Sequence, residues 1–444
     1  MDLTQFVPVF GNFAFMIVAF VVALSVIVAI HEYGHYIVGR WCGIHAEVFS
    51  LGFGPVIYSR RDARGTLWQV AALPLGGYVK FLGDANAASV GSDDSVGADD
   101  ARRTMAGAPL WARTLTVAAG PLFNFILAIA IFTGSLMYQG RVADPFTIGD
   151  IRPLPAQFQS ELRAGDIVHS VADVAFADPD RQVSLLDLLP LQPRLTYQIT
   201  RDGRRMAVDG PYPMPPLISA LAPRSAADTA GLRIGDVITA VDGDAIFGFP
   251  QLQDKVINAQ GAPLDLTVWR GGQIVHVTLS PRITDEPQPG GGFAQSYRIG
   301  IVGDVMFTPQ TEALGLIAAG RLGVEGLWST ATTSLSALRH IIIGQISTCN
   351  LSGPVGIAET SGSMARQGTQ SFIWFIGALS AAVGLINLFP IPVLDGGHLM
   401  FYAYEAVTRR KPSDRAVQVF MVIGLGLILT MMSFTILNDT IFCP

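Results

Sequence analysis

Four stretches of this chain are long and apolar enough to cross a membrane as helices. They run from Phe13 to about Val38, from about Thr114 to Tyr138, from Phe372 to about Ile391 and from about Val417 to Leu437. Among the 444 residues, 50% are hydrophobic and 14% are charged, and the mean hydropathy is +0.42. This balance excludes an ordinary soluble enzyme and predicts an α-helical polytopic membrane protein with about four transmembrane helices.

The connections between these spans predict how the chain is oriented. Basic residues follow the first span at Arg40, Arg60, Arg61, Arg64, Lys80, Arg102, Arg103 and Arg113, and the third span at Arg409, Arg410, Lys411 and Arg415. Because short basic loops stay on the inner side, both termini and the long region between the second and third spans should lie outside. The first and third spans then both run inward, so their ends reach the same depth.

An internal repeat indicates two small domains in the outer region. The segment LRAGDIV from Leu162 to Val168 recurs as LRIGDVI from Leu232 to Ile238. In each copy a Gly-Asp turn leads into a stretch rich in β-forming residues. The repeat predicts two copies of one α+β domain.

We therefore predict the following organisation. Residues 1–40 hold the first span, 41–112 an inner-side, membrane-associated β-hairpin or re-entrant loop with a flexible segment from 85 to 100, and 113–140 the second span. Residues 141–212 and 213–284 form the two small domains, and 285–370 form outer amphipathic helices and a loop. Residues 371–405 hold the third span, and 406–444 hold an inner loop, the fourth span and an outer C-terminus.

Candidate chemistry lies at the end of the first span, where His31, Glu32 and His35 form the motif H-E-x-x-H. Two histidines four residues apart lie on one face of a helix and can bind one metal ion, while Glu32 can act on a water beside it. The motif also arises by chance in unrelated proteins, but ionisable groups at membrane depth are functional unless they are paired. The sequence therefore predicts a metal site.

A catalytic zinc site has three protein ligands, and Asp395 is the best candidate for the third. It lies in the segment NLFPIPVLDGGH, where Pro390 and Pro392 disrupt the helix and two glycines permit a sharp turn. His398 ends this segment. A supporting hydrogen bond is favoured for His398 over a fourth ligand position, because a fourth protein ligand would close a catalytic site.

The H-E-x-x-H motif together with the NLFPIPVLDGGH segment resembles the site-2 protease family of intramembrane zinc metalloproteases. The resemblance implies a Zn²⁺ cofactor held by His31, His35 and Asp395, with Glu32 as the catalytic general base. It also implies that Asn387 bonds the backbone of the substrate, although a helix-break cap is another interpretation of this residue. A membrane re-entrant hairpin would bind the extended substrate through Gly76, Gly77, Tyr78, Val79 and Lys80.

The repeat carries a second resemblance. The sequence AGLRIGDVI at 230–238, followed by VDG at 241–243, resembles a PDZ domain, a fold that commonly binds a peptide at a sheet edge. This implies two tandem PDZ-like domains. The first is degenerate because Ala172-Asp173-Val174 replaces the usual turn, and the second is the candidate for binding a peptide ligand. Both copies could instead be spacers or steric gates.

Two further segments, GPLFN at 120–124 and SGPVG at 352–356, also match the family. For these we expect packing and loop shaping rather than chemistry.

The family resemblance implies an intramembrane zinc metalloprotease of the bacterial inner (plasma) membrane. It would hydrolyse peptide bonds within or near the transmembrane segments of single-span proteins after an outer truncation, with the PDZ-like domains as a size filter. The expected partners are an anti-sigma-factor-like substrate or a remnant signal peptide, together with membrane lipid. The termini and the PDZ-like domains would be periplasmic, and the active site would lie near the cytoplasmic side.

Two alternatives stay open. The chain could be a membrane scaffold that binds peptide tails through its PDZ-like domains, or a metallopeptidase acting on soluble peptides outside. Nucleic acid is not an expected partner, because the net charge is −6 and no basic block carries interleaved aromatic residues. Of the three cysteines, Cys42 falls inside, whereas Cys349 and Cys443 fall outside and either pair or remain thiols.

Overall fold

The computed structural model describes residues 6–84, 100–176, 188–287 and 293–442. The chain forms two compact units. The first comprises the described residues up to Ser135, the segment Leu316–Ile341 and the described residues from Thr348 onward. The second comprises Leu136–Gly315 and Ile342–Ser347. The segment expected to be flexible lies outside the described residues, apart from its last residue.

The helices and strands follow one another in this order. The helices are α1 (Phe6–Trp41), α2 (Leu110–Gln139), α3 (Ala226–Thr229), α4 (Phe249–Asn258), α5 (Leu316–Ile342), α6 (Pro354–Arg366), α7 (Thr369–Asn387), α8 (Asp395–Thr408) and α9 (Asp414–Leu437). The strands of the first unit are β1 (Ala46–Arg61) and β2 (Leu67–Phe81). Those of the second unit are β3 (Arg141–Val142), β4 (Ile148–Ile151), β5 (Ile167–Val171), β6 (Val174–Ala175), β7 (Arg194–Arg201), β8 (Arg204–Pro211), β9 (Ile218–Leu221), β10 (Val237–Val241), β11 (Asp244–Ala245), β12 (Leu264–Arg270), β13 (Gln273–Leu279), β14 (Arg282–Pro287), β15 (Phe293–Arg298), β16 (Ile301–Gly303), β17 (Phe307–Pro309) and β18 (Thr311–Glu312).

Four helical segments among the described residues are long and apolar enough to cross a membrane. They are Phe13–Trp41, Leu110–Gln139, Thr369–Asn387 and Arg415–Phe442. In length and composition these helices confirm the prediction of about four spans. They agree in position with the four apolar stretches of the sequence, and the first continues a few residues beyond its expected end.

Residues 371–405 contain two helices, with the break at the prolines that the sequence predicts. The helix α7 ends at Asn387 and α8 begins at Asp395, because Pro390 and Pro392 cannot continue the backbone hydrogen bonding of a helix. The chain between them folds tightly onto the start of α8. A Cβ atom on Gly396 would lie 2.2 Å from the carbonyl oxygen of Phe389. Only glycine therefore fits at this position, and the break brings Asp395 to the first turn of a new helix.

The predicted β-hairpin is present as β1 and β2, which pair in antiparallel fashion. The pair folds back on itself, so that Leu51 lies opposite both Gly77 and Val70. Residues 48–51 thus have partners on two sides, and 77–81 form an edge. An apolar cluster that includes Tyr36, Phe49 and Val79 packs this edge segment against the end of α1.

Asp62 organises the turn between β1 and β2. Its carboxylate accepts hydrogen bonds from the backbone N–H groups of Arg64 and Thr66 and from Nε1 of Trp68. Burial alone would raise the pKa of Asp62, but these hydrogen bonds, together with one from the Tyr36 hydroxyl, outweigh it and hold the pKa below its ordinary value. These hydrogen bonds fix the turn that joins β1 to β2.

The second unit contains two four-stranded sheets of the same strand order. The first sheet has the order β6-β5-β7-β8 and the second has the order β11-β10-β12-β13. Each has its own apolar core, with Val168 and Tyr197 in one and Ile238 and Val268 in the other. The strands β5 and β10 contain equivalent parts of the sequence repeat, so the repeat corresponds to one fold used twice.

The repeated Gly-Asp turn has the same role in both copies. Asp166 forms two hydrogen bonds with Arg201 in the first copy, and Asp236 forms two with Arg270 in the second. Both aspartates are buried, with 1% of the residue exposed. A buried carboxylate needs such a partner, which explains why the sequence spacing between turn and arginine recurs.

Both copies extend beyond the predicted boundary at residue 284, which corrects the assignment of 285–370 to outer helices and a loop. The strand β16 pairs with β9 of the second copy, and β17 and β18 pair with β4 and β3 beside the first. These strands are too short to give a clear periodic pattern in the sequence. The helices α5 and α6 begin only at Leu316 and Pro354.

Among the cysteines, Cys42 is free and Cys349 is disulfide-bonded. Cys443 lies outside the described residues, so the pairing of Cys349 with Cys443 stays a prediction.

Candidate metal centre

His31 and His35 lie near the end of α1 and direct their Nε2 atoms toward one point. These two atoms are 3.2 Å apart. Asp395, at the first turn of α8, completes the group: its Oδ2 is 3.1 Å from Nε2 of His31, and its Oδ1 is 3.5 Å from Nε2 of His35. The three side chains predicted as metal ligands from distant parts of the sequence are thus brought together.

The distances within this group fit a tetrahedral metal ion. Zinc binds histidine nitrogen and carboxylate oxygen at about 2.0–2.2 Å, which places tetrahedral ligand atoms about 3.3–3.6 Å from one another. The observed separations of 3.1–3.5 Å lie close to this range. In addition, Oδ2 of Asp395 is buried and has no hydrogen-bond partner of good geometry in the described part of the chain. The donor set therefore suits zinc.

The second ring nitrogen of each histidine is also held. Nδ1 of His35 donates to the carbonyl oxygen of Thr116 at 2.9 Å. Because a carbonyl can only accept, this bond leaves the lone pair of Nε2 directed into the cluster. Nδ1 of His31 lies 3.1 Å from Nδ2 of Asn124. Both supporting residues belong to α2.

Gly120 allows α2 to approach the two imidazoles. A Cβ atom at this position would lie 2.3 Å from Nε2 of His35 and 2.8 Å from Cε1 of His31. Any larger side chain would therefore occupy the space of the ligand rings. For the segment GPLFN the sequence predicts packing and loop shaping; within it, Gly120 and Asn124 also contact the rings of the candidate ligands His31 and His35.

A cavity of about 310 Å³ adjoins the ligand cluster. Glu32 lines it together with Val79 of β2. Further residues that line this cavity include Gly77, Tyr78, Asn387, His398 and Tyr402. The candidate general base and the candidate metal ligands thus share one cavity.

Two of the predicted substrate-binding residues lie elsewhere. Lys80 forms an ion pair with Glu47 at 2.9 Å, and Gly76 packs against the ring of Phe53. Neither lines the cavity. Asn387 does line it, but its Nδ2 donates to the carbonyl oxygen of Val383 at 3.0 Å, so its amide bonds its own helix in this conformation.

A buried ion pair connects α2 with α8. The guanidinium group of Arg113 donates to both carboxylate oxygens of Glu405, at 2.7 and 3.1 Å, and it lies over the ring of Tyr402. Since α8 carries Asp395 and α2 carries the groups behind the histidines, this pair stabilises the relative position of the ligands. The sequence predicts for Arg113 only a place among the basic residues of the inner side.

A cluster of two histidines and an aspartate beside a glutamate is the type of centre that metalloproteases use. Here it lies among helices that can span a membrane. Residues 19–431 match the model of Peptidase family M50, and the chain belongs to this family. The site-2 protease family and the metalloprotease class predicted from the motifs are thereby confirmed.

Similar proteins are known from several bacteria. The protein named "Putative zinc metalloprotease Atu1380" from Agrobacterium fabrum is 34% identical over 435 residues, which cover 95% of each chain. The "Putative zinc metalloprotease" of Vibrio cholerae is 32% identical over 454 residues, covering 95% of this chain and 97% of its own. The similarity therefore includes both compact units.

Proposed function

We propose that this chain is an intramembrane zinc metalloprotease that hydrolyses peptide bonds within or near the transmembrane segments of single-span membrane proteins. The observation that carries the proposal is the convergence of His31, His35 and Asp395 beside Glu32 in one cavity. Two of the contributing helices belong to segments that can span a membrane. The names of the relatives support zinc as the metal.

The residues of the cavity have two different roles, metal binding and proton transfer. His31, His35 and Asp395 would hold zinc, and three protein ligands are the number found in catalytic sites. When bound, zinc supplies Lewis-acid catalysis and acidifies water at neutral pH. The carboxylate of Glu32 accepts the proton of the attacking water and delivers it to the amine of the leaving peptide.

The edge of the hairpin is the proposed binding surface for the substrate. A transmembrane helix hides its peptide bonds in its own hydrogen bonds, so cleavage requires an extended segment whose backbone finds new partners. Gly77, Tyr78 and Val79 lie along the cavity at an edge of the β1–β2 pair. An unwound substrate would add to this edge as a further strand, with Asn387 as a second contact.

The setting of this reaction is proposed from the family resemblance. The enzyme would lie in the bacterial inner membrane, in contact with lipid, with both termini and the second unit in the periplasm and the metal centre near the cytoplasmic side. Its substrates would be anti-sigma-factor-like proteins or remnant signal peptides that another protease has already shortened. The positive-inside distribution of Lys and Arg supports this orientation. Labelling of cysteines introduced at 222–231 tests the orientation. Labelling from the inner side only would contradict it.

The two sheets of the second unit would be PDZ-like domains that exclude substrates with intact outer domains. A groove of about 490 Å³ in the second copy supports a peptide ligand there. It is lined by Ser225, Phe249, Leu252 and Val256 and by the strand β16, which pairs with β9 on one side. This groove also favours the second candidate function, a membrane scaffold that binds peptide tails through β-strand addition.

The experiment that distinguishes these functions compares purified full-length protein with Glu32→Gln and Asp395→Ala. Bound zinc, thermal unfolding and cleavage of a model single-span substrate are measured for each. We expect Glu32→Gln to retain zinc and fold but lose cleavage, and Asp395→Ala to lose both zinc and cleavage. A parent protein that binds peptide tails without cleaving them would favour the scaffold, and cleavage by Glu32→Gln would exclude the proposed role of that residue.

A further inference from the structure

One amide side chain contacts an imidazole of the metal-ligand cluster. Asn124 is fully buried in α2, and its Nδ2 is 3.1 Å from Nδ1 of His31. Its Oδ1 is also buried and has no hydrogen-bond partner among the described residues. The backbone of Asn124 is held independently, because its carbonyl oxygen accepts a hydrogen bond from Oγ of Ser380 at 2.9 Å.

The chemistry of a metal-bound imidazole determines what Nδ1 of His31 requires. If Nε2 gives its lone pair to a metal ion, the proton of the neutral ring must be on Nδ1, and that N–H needs an acceptor. The carbonyl oxygen of Thr116 serves this purpose for His35. For His31, the group at hydrogen-bond distance from Nδ1 is the carboxamide of Asn124.

The carboxamide can supply that acceptor. Its oxygen and nitrogen have nearly the same shape, so a half-turn of the group exchanges their positions. Oδ1 would then accept from the Nδ1–H group of His31 across the same distance. The turn costs no other hydrogen bond, because in the described part of the chain Nδ2 bonds only His31 and Oδ1 bonds nothing.

We propose that Asn124 is a positioning residue that accepts a hydrogen bond from Nδ1–H of His31 and so fixes the tautomer in which Nε2 faces the metal. The inference depends on the zinc centre proposed above. An amide suits this position because it offers an acceptor without adding a negative charge at membrane depth, where charged groups are costly.

The test measures zinc affinity by competition with a chelator in full-length protein. The variant Asn124→Leu keeps the branching of the side chain at Cγ and the backbone bond to Ser380 but has no acceptor, and we expect its zinc affinity to fall about 10–100-fold. The variant Asn124→Asp keeps an acceptor and cannot donate, so we expect it to bind zinc clearly more tightly than Asn124→Leu and close to the parent. The control is Ser135→Ala, which removes a buried hydroxyl of the same helix that has no described partner and should leave the affinity unchanged.

The outcomes separate this inference from the proposed function. A parent protein that binds no zinc contradicts the proposed function itself. If the parent binds zinc, an Asn124→Leu protein of parental affinity overturns the inference, and so does a folded Asn124→Asp protein that binds zinc as weakly as Asn124→Leu. Should Asn124→Leu not fold, proton NMR of the zinc-loaded parent decides: a strongly downfield, slowly exchanging Nδ1–H signal of His31, as expected for a hydrogen-bonded proton, supports the proposal, and an Nδ1–H group without a hydrogen bond overturns it.

Discussion

The substitution Gly120→Ala tests whether the close approach of α2 to the histidines is required for metal binding. The new Cβ atom would lie 2.3 Å from Nε2 of His35, whereas ordinary non-bonded contacts between heavy atoms are about 3.5 Å. The ring and the helix must therefore separate by about 1 Å. Metal–ligand distances tolerate only about 0.2 Å, so the ligand geometry cannot survive this change.

Neither way of relieving the clash preserves the site. If the ring of His35 moves, its Nε2 leaves the cluster. If α2 retreats, the carbonyl oxygen of Thr116 moves away from Nδ1 of His35. The 2.9 Å hydrogen bond between these two atoms is then lost. A misplacement of about 1 Å can reduce catalysis about 100-fold. We expect Gly120→Ala to lower both zinc affinity and the rate of cleavage by at least about this factor.

The assay combines zinc content, chelator competition, cleavage of a single-span substrate and thermal unfolding. The matched control is Gly134→Ala in the same helix, where an added Cβ would have no neighbour within 4 Å. Since alanine favours a helix over glycine by about 1 kcal/mol at most, Gly134→Ala should keep zinc and activity and unfold no more easily than the parent. A Gly120→Ala protein with parental zinc affinity and cleavage would refute the reasoning.

Three further changes test the supports of the metal centre and of the second unit. Gly396→Ala adds a Cβ atom 2.2 Å from a backbone oxygen of the preceding helix break, so zinc content should fall; unchanged zinc would contradict the tight fold at this break. Arg113→Met leaves Glu405 buried without its partner and should lower the free energy of unfolding by about 3 kcal/mol. The double variant Arg113→Glu with Glu405→Arg, which exchanges the two charges, should recover part of this loss. No recovery would contradict a specific pair. Arg270→Met leaves the buried Asp236 without its ion-pair partner and should destabilise the second unit by about 3–5 kcal/mol in unfolding experiments. Parental stability would contradict a stabilising role of this pair.

The cluster of candidate metal ligands could be predicted from the sequence because its chemistry has a local signature. The spacing of His31 and His35 requires only a helix, and an aspartate between helix-breaking prolines and paired glycines is distinctive. The four apolar spans were equally evident, since membrane length and apolarity are properties of contiguous residues. Each of these features is visible in residues that are close together in the sequence.

The supporting residues could not be predicted with the same ease, because their roles depend on contacts between distant segments. Gly120 and Asn124 are four residues apart, which places them on one face of α2, and an amide in an apolar span was a usable signal. Nothing local to Arg113 indicates Glu405 as its partner. The boundary at 284 failed for the same reason: β16, β17 and β18 are two- or three-residue strands whose partners lie far back in the chain.

The return of these late strands has a consequence for the second unit. Because β17 comes back to β4 after the second copy is complete, the second copy is inserted within the first, and the chain passes between them twice. Two covalent crossings restrict twisting and hinge bending far more than a single linker does. A fragment that stopped at residue 284 would lack a strand from each copy, whereas Leu136–Gly315 retains both crossings and is the natural unit for separate expression.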